Sequence, residues 1–201
     1  MIAIIDYDAG NIKSVEKACL ALGEKPVVSR EPEVLRRADR IILPGVGAFG
    51  DAMKKLEQYG LIPVIREAAA SGRPFLGICL GLQLMFESSE ESPGVEGLGL
   101  LPGHIRKIPS GGGRKIPHMG WNSLEISADS RLFSGVSSGS FVYFVHSYYL
   151  PAEEADLTGA VTDYGVRIRA AAERGNLFAC QFHPEKSSRV GRRILKNFLE
   201  L

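Results

Sequence analysis

The first eighty residues alternate between short apolar runs and helical periodicities. Ile2-Ala3-Ile4-Ile5 is continuous and apolar, the pattern of a strand covered on both faces in a parallel sheet. Beyond Gly10, the set Ile12, Val15, Cys19, Leu22 recurs at helical spacing and Gly23 suits a stop just past the last turn. Pro26-Val27-Val28 predicts a second strand, Pro32 to Leu35 a short helix, and Arg40 to Leu43 a third buried strand. Helices are expected over Ala48–Tyr59 and Ile62–Ala70, a fourth strand over Pro74–Ile78, and a helix from Leu80 to Glu87. Such alternation calls for a parallel sheet with helices on both faces.

The second half reads differently. Ser88 to Gly103 is rich in Gly, Ser and Pro and predicts loop. Strand-like runs follow at His104–Ile108, Asn122–Ile126, Phe141–Leu150, Leu157–Thr162, Val166–Ala172 and Leu177–Phe182. Ser188 to Leu199 closes as an amphipathic helix with Val190, Ile194, Leu195 and Phe198 inward. The fold class expected is therefore α/β: a largely parallel central sheet flanked by helices, with added antiparallel strands in the second half. No internal repeat or linker interrupts residues 1–201, so one domain is expected.

Composition narrows the function classes. Lys+Arg number 24 against 23 Asp+Glu, which gives no electrostatic reason to expect a nucleic-acid partner. Arg189, Arg192, Arg193 and Lys196 on the last helix read as a solvated face. No apolar run reaches the ~20 residues of a membrane span. The first residues, MIAIIDYD, lack a basic n-region, so no signal peptide is expected. Three widely spaced cysteines without C-x-x-C argue against a disulfide scaffold or zinc ribbon and suit a reduced, cytoplasmic compartment.

Candidate chemistry gathers at predicted strand ends. Gly77-Ile78-Cys79-Leu80-Gly81 sits at a strand-to-helix junction and is the cysteine counterpart of the G-x-S-x-G elbow. There a sharp turn presents the sulfur, and the helix N-terminus beyond favours thiolate and offers free N–H groups. Most lone cysteines are inert core residues, the reading given to Cys19 and Cys180. Of four histidines, His183 stands out because it ends an apolar strand and precedes Pro184-Glu185. Residues two apart in extended chain share a side, so Glu185 is placed to hold the far ring nitrogen; a surface His-Pro turn with a solvated Glu is the plainer alternative. His118 and His146 are expected to be structural. Pro44-Gly45-Val46-Gly47 either turns an N–H into a site or makes an ordinary tight turn. Metal ligation by the Cys, His and Glu lacks any H-E-x-x-H or paired-Cys spacing, so no metal is expected.

Together, Leu43–Phe49, Gly77–Gln83, Pro117–Asn122, Tyr143–Tyr148 and Gln181–Ser187 resemble the motifs of the class I, triad-type glutamine amidotransferases, in family order and across essentially the whole chain. The resemblance implies a flavodoxin-like fold and hydrolysis of glutamine through a thioester on Cys79, with His183 as base and Glu185 orienting it. It implies an oxyanion held by the N–H of Leu80 and one from Gly45, Val46 or Gly47. Gly47, Gln83 and Ser147 would hold the polar ends of glutamine, and no cofactor is called for. The Pro117–Asn122 and Tyr143–Tyr148 segments resemble the branch that serves a (β/α)8 cyclase, as a heterodimer, in making imidazole glycerol phosphate for histidine biosynthesis. Asn11, Trp121, Asn122, Tyr143 and Lys186 match that branch's interface or gate positions. A glutaminase of another synthase, such as the one making pyridoxal phosphate, is the alternative. Leu82 stands where Met is commoner, and Asp8-Ala9 precedes Gly10-Asn11 where Gly-x-Gly-Asn is more usual.

Overall fold

The computed structural model describes residues 1–201. Its first half runs β1 (Ile2–Ile5), α1 (Ile12–Ala21), β2 (Val27–Ser29), α2 (Pro32–Arg37), β3 (Arg40–Leu43), α3 (Phe49–Gln58), α4 (Leu61–Ala70), β4 (Phe75–Ile78) and α5 (Leu80–Leu84). The second half adds β5 (Ser88–Ser89), β6 (His104–Lys107), β7 (His118–Ser123), β8 (Glu125–Ile126), β9 (Phe141–His146), β10 (Tyr148–Tyr149), β11 (Thr158–Asp163), β12 (Arg167–Arg174), β13 (Leu177–Cys180) and α6 (Ser188–Leu199). The main sheet has the order β2-β1-β3-β4-β13-β12-β11-β8. Its first five strands are mutually parallel and its last three antiparallel, so the α/β architecture expected from the alternation is the one observed.

The chain steps from β1 outward to β2, then back across β1 to β3. Right-handed crossovers put α1 on one face and α2 on the other when the direction reverses in this way. In keeping, α2 and α3 pack on α4, and α5 on α3, whereas α1 and α6 meet the short 3-10 turn at Pro184–Lys186. β1, β3 and β4 are apolar and buried on both faces, apart from Arg40 where β3 begins. One continuous apolar cluster runs from Ile2 to Leu199.

Several boundaries differ from the sequence expectation. The helix after Cys79 ends at Leu84 rather than Glu87. The carbonyls of Leu84, Met85, Phe86 and Glu87 accept N–H groups from Leu98, Leu100 and Leu101, Gly99, and Gly97, so the loop takes the acceptors a longer helix needs. The Pro117–Asn122 run contains a strand, β7, paired antiparallel with β9 over all six residues. The strand expected over Asn122–Ile126 is divided between β7 and β8, and that over Phe141–Leu150 is broken at Ser147. The strand expected to reach Phe182 ends at Cys180, which frees residues 181–183 for other uses.

Phe198 is fully buried and meets Phe178 edge-on at 6.0 Å between ring centroids, locking α6 to β13. Phe198→Ala is expected to cost about 3–5 kcal/mol of unfolding free energy through lost burial and a cavity, measured by urea denaturation.

Candidate active site

Because β3, β4 and β13 are parallel neighbours in near-level register, with Leu43 opposite Gly77 and Ile78 opposite Cys180, their carboxyl ends finish side by side. That edge is where open α/β sheets collect ligands. The segments leaving it are Pro44–Gly47, Cys79–Gly81 and Gln181–Glu185, and the segment Asp6–Asn11 leaves the same edge from β1.

Cys79 has φ 55° and ψ −111°, strained for a residue with a Cβ. Its neighbours explain how the strain is held. A Cβ on Gly81 would lie 1.9 Å from the Leu43 carbonyl oxygen, and one on Gly77 would lie 2.5 Å from Met85 Sδ and 2.7 Å from the Gly81 oxygen. Only glycines at both places allow α5 to start against β3, and that packing turns Cys79 off the strand. The elbow expected from the sequence is thus present.

His183 is fully buried, and its Nδ1 lies 2.7 Å from Glu185 Oε1. Both side chains are about 1% exposed. Nε2 makes no hydrogen bond, and the nearby Cys79 side chain interacts with the imidazole. Burial disfavours the imidazolium, but Cys79 and Glu185 outweigh it, and the pKa of His183 is raised above its usual 6.5. Burial likewise opposes ionisation of Glu185, yet His183 and then Asn11 prevail and hold its carboxyl below the usual range. His183 and Glu185 therefore favour an imidazolium beside a carboxylate.

Asn11 is 6% exposed and donates from Nδ2 to Glu185 Oε1 at 2.6 Å. The resemblance put it at an interface or gate position; its side-chain amide is bonded to the Glu185 carboxylate. The turn that delivers it is built unusually. Asp8 adopts φ 65°, a conformation natural to glycine. Its carboxylate accepts Arg30 at 2.7 Å and the Tyr59 hydroxyl, and Arg30 stacks over the Tyr59 ring at 4.2 Å. This clamp holds the turn in place of the more usual glycine.

The Gly45 carbonyl accepts the N–H of Leu80 at 3.3 Å. One donor expected for an oxyanion is thus engaged inside the protein. Gly47 has φ 97°, and Val46 is 39% exposed. Tyr7, which the sequence reading passed over, donates its hydroxyl to the Pro44 carbonyl at 2.7 Å and pins the start of this segment.

A cavity of about 400 Å³ lies over the sulfur. Val46, Gly47, Cys79, Leu80, Gln83, Ser147 and His183 line it, together with His146, expected to be structural, and Glu91, for which no motif spoke. Glu91 is the single carboxylate of the lining; it accepts the Phe49 N–H at 2.8 Å where α3 begins. Gln83 Nε2 donates to the Tyr148 carbonyl at 3.0 Å and to Gln181 Oε1 at 3.1 Å. A larger depression of about 760 Å³ between residues 126–138 and α6 contains neither cysteine nor histidine in its lining.

Trp121 is 53% exposed and meets Tyr143 edge-on across the β7–β9 pair. With Met119 and Phe141 these make an exposed apolar strip. Asn122 donates to the Asp163 carbonyl at 2.8 Å, and Lys186 is exposed on the turn after the triad. Tyr143 accepts the His183 N–H through its carbonyl at 3.0 Å, and its N–H donates to Ser187 Oγ at 2.9 Å. The strip is therefore tied by backbone to the segment that carries His183. His118 and His146 are buried and bonded to each other, as structural histidines should be.

A family model described as glutamine amidotransferase class-I matches residues 3–201. A protein from Moorella thermoacetica described as imidazole glycerol phosphate synthase subunit HisH is 52% identical over 200 residues, covering 100% of this chain and 94% of that protein. One from Methanothermobacter thermautotrophicus with the same description is 51% identical over 201 residues, covering 100% and 98%. Among solved structures, one described as a glutamine amidotransferase superposes with TM-score 0.76 at 20% identity, covering 100% of this chain and 98% of that one. The structure of PurLQS from Thermotoga maritima superposes with TM-score 0.71 at 18% identity, covering 99% and 97%.

The raised His183 pKa gives a pH prediction with a definite sign. If the reactive form carries the imidazolium, activity is lost as pH rises and His183 loses its proton. Glu185→Gln removes one of the groups that hold that proton, so the alkaline limb of kcat/KM is expected to move about 1 pH unit lower. A pH–rate series on both proteins measures it, and an unmoved limb would separate Glu185 from the titration of His183.

Proposed function

The chain belongs to the class-I glutamine amidotransferases, and from that premise we propose that it hydrolyses glutamine by a Cys79-His183-Glu185 triad for a synthase partner. The observation that carries the reading is the sulfur at a strained elbow beside a buried imidazole whose other nitrogen is held by a carboxylate.

With the thiol proton already passed to His183, Cys79 Sγ attacks the side-chain carbonyl carbon of glutamine. The tetrahedral adduct collapses as His183 returns that proton to the leaving nitrogen, releasing ammonia and a thioester on Cys79. Water, deprotonated by His183, attacks the thioester; its collapse gives glutamate and restores the thiol. Glu185, steadied by Asn11, keeps the imidazole aligned and offsets its charge. Gln83, Ser147 and Gly47 lie where the substrate's polar ends would sit, and the Glu91 carboxylate suits its α-ammonium.

The oxyanion needs the Leu80 N–H that the Gly45 carbonyl now holds. Loss of one such donor typically costs ~3–4 kcal/mol, or ~100–1,000-fold in rate. We therefore infer a weakly active resting enzyme, switched on when the Gly45–Gly47 segment reorients. The exposed Met119, Trp121 and Phe141 supply an apolar surface for a partner. The names of its half-identical relatives favour the synthase of imidazole glycerol phosphate over the pyridoxal phosphate assembly, and the (β/α)8 cyclase that the resemblance implies is then the partner. On this reading the ammonia passes to the cyclase without reaching water, in histidine biosynthesis and in the cytoplasm. No helix is long and apolar enough to cross a membrane.

With the cyclase and its nucleotide ligand present, glutaminase turnover is expected to rise ~100-fold or more over the chain alone. Equal rates would remove the partner from the switch. Cys79→Ala in the complex should lose glutamine-dependent synthesis while synthesis from added ammonium salt persists, which a product assay with each nitrogen source distinguishes.

A further inference from the structure

Gln181 follows β13 directly, is fully buried, and has no role in the chemistry described above. A buried amide must spend both of its ends. Its Oε1 accepts Gln83 Nε2 at 3.1 Å, which identifies that end as oxygen and leaves Nε2 toward Cys79 Sγ at 3.9 Å. The second proton of the Gln83 amide goes to the Tyr148 carbonyl at 3.0 Å.

That carbonyl also bonds His146 Nδ1 at 2.8 Å. A carbonyl only accepts, so His146 carries its proton on Nδ1. Burial drives the pKa of His146 down to about 3, so the ring is neutral and its Nε2 accepts. The donor is His118 Nδ1 at 2.9 Å. His118, also held neutral by burial with a pKa of about 4, then accepts at Nε2 from Asn122 Nδ2 at 3.3 Å. The ring of His118 is stacked on Phe144 and Tyr164, with centroids 4.6 Å and 4.0 Å away. Every donor and acceptor along this path has one assignment. The path begins on β7 and ends on the reactive sulfur.

We infer that Gln181 is a positioning residue for the nucleophile, donating its amide N–H to the Cys79 sulfur, and that its orientation is fixed through Gln83, the Tyr148 carbonyl, His146 and His118. The inference rests on the reading of Cys79 as nucleophile. Donation to sulfur favours thiolate over thiol and opposes the alternative contact in which the thiol turns to the Val145 carbonyl, 4.0 Å away. The other titratable groups around the sulfur are His183 with Glu185 behind it, Cys180 on β13, Tyr7 beyond β1, His146 on β9 and Glu91 across the cavity. The substitutions below leave these groups in place.

The test is the pH dependence of Cys79 alkylation by iodoacetamide on the full chain, read by peptide mass spectrometry, with folding checked by thermal unfolding. Gln181→Met keeps the shape and removes the donor; the pH of half-maximal alkylation is expected to rise by about 1 unit. Glutamine turnover with the partner should lose ~10-fold in kcat with KM nearly unchanged. His118→Phe, outside the cavity, keeps the stacking and breaks the chain; it should move the alkylation profile in the same direction. A folded Gln181→Met with the wild-type profile would overturn the inference. Should that variant not fold, an unmoved His118→Phe profile would overturn it. A shift in Gln181→Met alone would overturn the longer chain. Wild-type Cys79 that resists alkylation would instead overturn the nucleophile reading itself.

Discussion

The site depends on a steric constraint before any chemistry: the α5 backbone touches the end of β3. The Gly81 backbone lies so close to the Leu43 carbonyl that no Cβ fits between them, and Gly77 is closed in by Met85 and Gly81. With both flanks fixed, the residue between them has little choice of φ, and the sheet and α5 together hold Cys79 in a conformation that a free chain disfavours. The sulfur is presented because the core packs this way. The same parallel registration brings His183 to the sulfur from a hundred residues downstream, since β13 inserts beside β4 with Cys180 level with Ile78.

Burial of His183 and Glu185 sets up a second dependence. Uncompensated, burial would strip the charges from His183 and Glu185; each keeps its charge through the other and through polar neighbours. Asn11 completes that compensation from the opposite end of the chain. Asn11 in turn relies on a surface clamp, for the turn before it passes through Asp8 at positive φ under Arg30 and Tyr59. An exposed ion pair of this kind is worth little to global stability. Its value here lies in fixing one backbone turn whose far end carries the Asn11–Glu185 contact.

Much of this was legible in the sequence for identifiable reasons. Periodicity exposed β1, β3, β4 and the helices between them, because buried parallel strands have no polar face to confuse the pattern. The elbow and the His-x-Glu pair were legible because both are local, set by residues within four positions of each other. Residue types do not encode the remaining features. The amide of Asn11 finds Glu185 across 174 positions. Glu91 reaches the cavity only because the loop after α5 folds back on it. The early end of α5 follows from competition for its carbonyls by residues 97–101, a tertiary event. The bond from the Leu80 N–H to the Gly45 carbonyl is one peptide orientation, which no residue type signals.

That last feature decides how a partner would act. That peptide orientation is held by a single neutral backbone hydrogen bond of 3.3 Å, worth ~1 kcal/mol net in ordinary circumstances. Freeing the Leu80 N–H returns ~3–4 kcal/mol when an oxyanion forms against it. An interface need therefore supply only a small bias to the Gly45–Gly47 segment. The strip of Met119, Trp121 and Phe141 lies on strands whose backbone is bonded directly to His183 and Ser187, so a subunit seated there also bears on the base. On the proposed function, weak activity alone and strong activity in complex then follow from a cheap lock and a large reward in the transition state. The protein need not change its fold for the switch to work.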